Sequence, residues 1–92
     1  MPLKITKSDD LFYLKGDLNV TNFKKVEKKV NNFLKKQSNV TLNINDVNEI
    51  DTRAVNCIAQ MFTDALSHKK QVNIVGYGTK DIYDELIARD IL

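Results

Sequence analysis

Asn39-Val-Thr-Leu-Asn-Ile-Asn45, followed by Asp46-Val-Asn-Glu-Ile50 and Asp51-Thr52-Arg53-Ala54-Val55, is the stretch on which the fold turns. Its first seven residues alternate without a break. Val40, Leu42 and Ile44 point one way, and Asn39, Thr41, Asn43 and Asn45 the other. That is the period of a strand with one dry and one wet face. After Ile50 the apolar period becomes helical. The change falls on Asp51-Thr52, so a carboxylate and a hydroxyl stand where the first turn of a helix leaves backbone N–H groups unpaired.

Working outward, residues 3–8 alternate weakly and read as an edge strand. Ser8-Asp9-Asp10 is a turn, and residues 11–15 form a second strand that closes a hairpin with the first. Residues 16–22 read as a polar loop, with Thr21 or Asn22 capping the helix that follows. In that helix Phe23, Val26, Val30, Phe33 and Leu34 make one apolar stripe. Strand three covers 39–45, and 46–50 is a short acidic connection. The second helix is expected over about residues 53–67. Its apolar residues, Ala54 to Leu66, cover more than half the circumference, which suggests burial on several sides. Residues 71–75 form strand four, with Val72 and Ile74 inward. Thr79 caps a last helix that buries Ile82, Tyr83, Leu86 and Ile87. The expected fold is α/β, a mixed sheet of about four strands in the order β-β-α-β-α-β-α. Strands two, three and four are joined by helical crossovers and therefore run parallel. The wet face of strand three puts the helices on one side of the sheet.

A length of 92 residues fits one domain over 1–92, burying roughly 60–65% of its unfolded surface and too small for a deep enclosed active site. No apolar run reaches the ~18 residues of a membrane span. The N-terminus lacks the apolar core of a signal peptide. The lone Cys57 sits in an apolar helical pattern and reads as a reduced, buried thiol. These features lead to the expectation of a cytoplasmic protein without membrane insertion.

Net charge is +2. Yet Lys24, Lys25, Lys28, Lys29, Lys35 and Lys36 all fall in or at the end of the first helix, against a single Glu27. Such a cluster suits a nucleic acid, an anionic lipid or an acidic partner. It also suits a solvated helix face. No aromatics or arginines are interleaved for stacking or base readout, so the solvated face is preferred and no nucleic acid is expected. One His and one Cys supply no metal-ligand pair, and neither a metal nor another cofactor is expected. His68 reads as a solvated turn residue and Gly76-Tyr-Gly78 as a turn. Asp46, Glu49 and Asp51 read as caps and a solvated connection. No catalytic constellation emerges, and the chain is not expected to be an enzyme.

The segment Ile50-Asp51-Thr52-Arg53-Ala54-Val55 resembles the signature of the STAS family, the sulfate-transporter and anti-sigma-factor-antagonist domains. Their pattern is an apolar residue followed by Asp-Ser-Ser/Thr-Gly-Leu opening a helix after an alternating strand. Lys15-Gly16-Asp17-Leu18 is similar to the family's Gly-x-Leu motif, and Gln71-Val-Asn-Ile-Val-Gly76 to its last core strand. Arg53 and Ala54 stand where the family has a small hydroxyl residue and glycine.

The resemblance implies a protein-binding module that antagonises an anti-sigma factor. The partner, itself a kinase, would phosphorylate the hydroxyl at Thr52. It implies a docking face of Asp17, Asn19, Thr21 and Asn22 with Asp51, Arg53 and Asn56. The alternative is a STAS accessory subunit of an ABC-type lipid transport system, docked on its ATPase. Arg53 could crowd a kinase pocket, pair with Asp51 or meet an anion on the partner. Ala54 would narrow the approach of another backbone.

Overall fold

The computed structural model describes residues 2–78 and 80–89. Elements follow in the order β1 (Lys4–Ser8), β2 (Leu11–Leu18), α1 (Val20–Leu34), β3 (Asn39–Ile50), α2 (Thr52–Ser67), β4 (Gln71–Val75) and α3 (Lys80–Ala88). The four strands form one sheet in the order β1-β2-β3-β4. β1 and β2 are antiparallel, joined through Asp9–Asp10, with Asp9 at φ 53°, a left-handed conformation that an Asp side chain tolerates. β2, β3 and β4 run parallel, as helical crossovers require.

The alternation read in β3 holds. Val40, Leu42 and Ile44 are at most 2% exposed, and they join Phe12, Leu14, Leu18, Val72 and Ile74 on the dry face. Phe23, Val26, Val30 and Leu34 of α1 and Ala54, Val55, Ile58, Met61 and Ala65 of α2 close over that face, and Leu86 of α3 joins the same cluster. On the other face Tyr13 and Val75 remain 40% and 41% exposed, and they flank Asn43 across the sheet.

Two strands run further than their local pattern indicates. β2 continues past Lys15 to Leu18, and β3 past Asn45 to Ile50, so neither the polar loop expected from residue 16 nor the acidic connection over 46–50 begins where sequence places it. The cause is irregular pairing. Tyr13 pairs with Asn43 but Lys15 with Asp46, and Gly16 pairs with Val47 but Asp17 with Glu49. β3 thus carries one extra residue at each shift, which flips its parity. Ile44 and Val47, three apart, are both buried, and simple alternation cannot register that. Gly16 provides the φ of 107° that β2 adopts at the second shift, open to glycine at no steric cost.

The helices also depart in detail from their periodicity. Leu66 is 54% and Ile87 43% exposed, so α2 is covered on one side rather than several and α3 buries a narrower stripe. Tyr83 is half-buried and stacks on Tyr77 at 4.2 Å. Phe33 is half-buried too, edge-on to Phe12 at 5.8 Å. Thr79, expected as the cap of α3, and the side chain of Ile82 lie outside the described residues.

Candidate functional site

Parallel strands β2 and β3 end side by side, with Leu18 opposite Ile50 and the Asp51 N–H donating to the Leu18 carbonyl at 3.2 Å. Each strand feeds a helix within two residues. The N-termini of α1 and α2 are therefore brought to the same edge of the sheet, the carboxyl end where open α/β sheets present ligand and partner sites.

The cap of α1 differs from the sequence expectation, while that of α2 is the expected carboxylate Asp51. α1 is capped by Asn19, not by Thr21 or Asn22. Asn19 Oδ1 accepts from the Asn22 N–H and Asn22 Oδ1 from the Asn19 N–H, each at 2.9 Å. This reciprocal pair satisfies two donors that would otherwise face water unpaired. Asn22 Nδ2 also donates to the Asp17 carbonyl at 2.8 Å, tying the helix start to the end of β2. The shift to Asn19 follows from β2 reaching Leu18, which leaves Asn19 as the sole residue between strand and helix.

At α2 the cap is Asp51, in extended conformation, with Oδ1 accepting from the Ala54 N–H at 2.7 Å. The helix consequently starts at Thr52, one residue before the expected Arg53. Thr52 is not the cap. It occupies the first helical position with its side chain exposed, and Arg53 beside it is exposed as well. Ala54 is fully buried. Its methyl points into the core, so it does not narrow the approach of a partner from outside.

Asn56 lies one turn beyond Thr52 on the exposed side and accepts from Arg89 Nη1, while Arg89 Nε donates to Glu85 Oε1 at 2.9 Å. The end of α3 is thereby fastened beside the start of α2. Arg89 had no signal in sequence, since 33 positions separate it from Asn56. Of the other residues named for this face, Asn19 and Thr21 are exposed, and Asp17, Asn22 and Asp51 half-buried. All gather at the paired helix starts, which the strand ends place together.

Other candidates resolve into structural roles. His68 is exposed at the C-cap of α2, its Nδ1 2.9 Å from the Asp64 carbonyl oxygen, a pairing that requires the proton on Nδ1. Cys57 is half-buried against the core. The Gly76–Tyr77 exit from β4 is held by Asn45, whose Oδ1 accepts from the Tyr77 N–H at 3.3 Å. A groove of about 490 Å³ between α1 and α2 is lined by Leu34, Met61 and Ala65 with Glu27, Asp64 and His68 on its walls. It lies toward the C-terminal ends of both helices, away from Thr52. Among the described residues no three His, Cys, Asp or Glu side chains are arranged to hold a metal ion, and no helix is long and apolar enough to cross a membrane.

Comparison with known proteins gives a consistent result. The structure of the anti-sigma factor antagonist SpoIIAA in its unphosphorylated form aligns with a TM-score of 0.64 at 9% identity, covering 97% of each chain. An uncharacterized DUF3478-family protein with a SpoIIAA-like fold, from Shewanella loihica PV-4, aligns with a TM-score of 0.54 at 17% identity, covering 96% of this chain and 76% of that one. The crystal structure of Mglu aligns with a TM-score of 0.61 at 18% identity over 77% of this chain, which spans only 18% of Mglu. At these identities the likeness is one of fold. No curated protein matches the sequence. The family model for the STAS domain matches residues 2–82, which hold the whole sheet, α1, α2 and the start of α3, and the chain belongs to the STAS domain family.

Proposed function

We propose that this chain is a cytoplasmic, non-enzymatic docking domain that acts as an anti-sigma factor antagonist, with Thr52 as the phosphate acceptor that switches it. The observation that carries the reading is the exposed hydroxyl of Thr52 at the first position of α2, with exposed Arg53 and Asn56 around it and the capped start of α1 alongside. The likeness to SpoIIAA, an anti-sigma factor antagonist, supports the same role. A partner seated there would span Asp17, Asn19, Thr21 and Asn22 on one side and Asp51, Arg53 and Asn56 on the other.

The physical basis of the switch is a difference between two environments. Phosphate adds nearly two negative charges. At a helix N-terminus open to water those charges meet a favourable dipole, and Arg53 adds a cation next to them. Under a docked partner the same charges must be desolvated, which is costly. Phosphorylation would therefore leave the fold intact and release the partner, and the partner kinase would act on a hydroxyl that needs no unfolding to be reached.

The test is isothermal titration of wild type and Thr52→Glu against the protein that co-purifies with this chain, run beside thermal melts. The carboxylate should weaken binding at least tenfold, with the melting temperature nearly unchanged. Unchanged affinity with an intact fold would move the docking face elsewhere. If the co-purified protein is an ABC-transporter ATPase rather than a kinase-type anti-sigma factor, the antagonist role fails while the docking role stands.

A further inference from the structure

We propose that the outward face of α1 seats the protein on an anionic lipid bilayer as a peripheral, non-inserting contact. The starting point is the placement of six lysines. Lys24 and Lys28 fall in one row of α1, and Lys25 and Lys29 in a second, since an interval of four residues returns a helix to nearly the same direction, while Lys35 is the C-cap and Lys36 follows it. All six are exposed. The rows lie opposite the stripe of Phe23, Val26, Val30 and Leu34 that α1 buries, and only Thr21 and Asn32 stand between them. Glu27 faces aside, on the wall of the groove toward α2, and Lys35 stands at the rim of that groove. On the other flank Lys7 Nζ sits 5.1 Å from the centre of the Phe33 ring, adding a seventh ammonium beside the face. The acidic turn Asp9–Asp10 lies at the sheet end where α1 finishes, where the Asp10 carbonyl accepts from the Thr41 N–H.

Among the described residues no ion pair balances this charge. Among the described residues the ion pairs are Lys80–Asp84 and Arg89–Glu85, both in and next to α3. Lys24 with Lys28 and Lys25 with Lys29 are like charges four apart, a spacing that destabilises an isolated helix. A dense layer of anions would relieve that repulsion.

The chemistry of the face selects among anionic partners. Protein hot spots need aromatic or arginine anchors in pockets, and this face offers neither. Base readout and stacking on nucleic acids rely largely on arginines and aromatic side chains, and this face carries neither. A plane tangent to α1 can be reached by the long stems of both lysine rows. The absence of outward apolar side chains rules the contact superficial, held by charge and weakened by salt.

The experiment is co-sedimentation of the full chain with vesicles of equal parts phosphatidylglycerol and phosphatidylcholine, with pure phosphatidylcholine and duplex DNA in the same low-salt buffer for comparison. The chain should pellet with anionic vesicles only and be released as salt is raised. Each lysine near the surface should be worth about fivefold in partitioning, so Lys24→Gln with Lys28→Gln, and separately Lys25→Gln with Lys29→Gln, should each weaken it about twenty-five-fold. Lys4→Gln with Lys15→Gln, on the open face of the sheet, should change it less than either, with thermal melts confirming that every variant is folded. Failure to pellet with anionic vesicles, equal loss in the sheet-face variant, or binding to DNA at lower protein concentration than to vesicles would each overturn the proposal.

Discussion

At Gly76 the backbone leaves β4 with φ 92°, and an added Cβ would stand 2.8 Å from the Asn45 nitrogen and 2.9 Å from Asn43 Oδ1. Both neighbours are committed. Asn43 Oδ1 accepts from the Asn45 N–H at 2.9 Å, and Asn45 Oδ1 accepts from Tyr77. Gly76→Ala therefore combines left-handed strain with a contact that breaks this stitch. It should destabilise the fold by about 1–3 kcal/mol in urea denaturation, and a loss under about 0.5 kcal/mol would mean that the exit loop relaxes freely. The same residue scale shows the limit of reading types alone. Asn43 and Asn45 have the look of a wet strand face, yet their side chains fasten the first β3 irregularity to the chain leaving β4. Asn22 and Thr21 were both plausible caps by type. The choice fell to Asn19 because β2 ended later than its local pattern implied.

Among the elements, β3 was the most legible and also the most incompletely read. Its first seven residues carry a strict period, and Leu42 in their middle is 1% exposed under the helices. Leu42→Ala should cost about 2–5 kcal/mol through lost burial and a cavity. Leu66, read from the same helical apolar pattern as the core residues of α2, is 54% exposed, and Leu66→Ala should stay within about 0.5 kcal/mol. Chemical denaturation of the two variants side by side checks the assignment, and similar losses for both would overturn it. The contrast has a physical source. A helix periodicity says which residues share a face, but only the packed sheet sets how wide a face is covered. The two register shifts in β3 belong to this scale as well. They depend on matching Gly16 and its neighbours in β2 across the ladder, and no window along one strand contains that information.

For the molecule as a whole, β3 lies between β2 and β4 and beneath both α1 and α2, while β1 is an edge strand with an exposed burial pattern. Opening the centre of β3 requires breaking two ladders and the core, whereas opening β1 breaks one ladder and exposes little apolar surface. Hydrogen exchange followed by mass spectrometry should find residues 40–44 protected close to the global stability and residues 4–8 exchanging first. Equal protection of both would contradict a core centred on β3. The proposed docking face and the lysine face adjoin along α1. The first turn of α1, at Thr21, belongs to the proposed docking face, and the lysine rows begin one turn later. A protein lying on α1 would keep the start of α2 at the rim of the contact, open to a partner.

The element order, the parallel crossovers, the dry face of the sheet and the family were all legible along the chain, because each follows from local periods and from a motif confined to a few consecutive residues. The sequence also marked the Asp51–Thr52 helix start as the place of chemical interest, since a strand giving way to a helix with a carboxylate at the junction is a local event. Contacts between distant segments decided where β2 and β3 end, that Asn19 rather than Thr21 or Asn22 caps α1, that Ala54 faces inward, and that Arg89 reaches Asn56. These outcomes depend on strand pairing and on contacts between residues far apart in the chain, where the energy of matching two ladders and closing one core outweighs the local preferences of either segment.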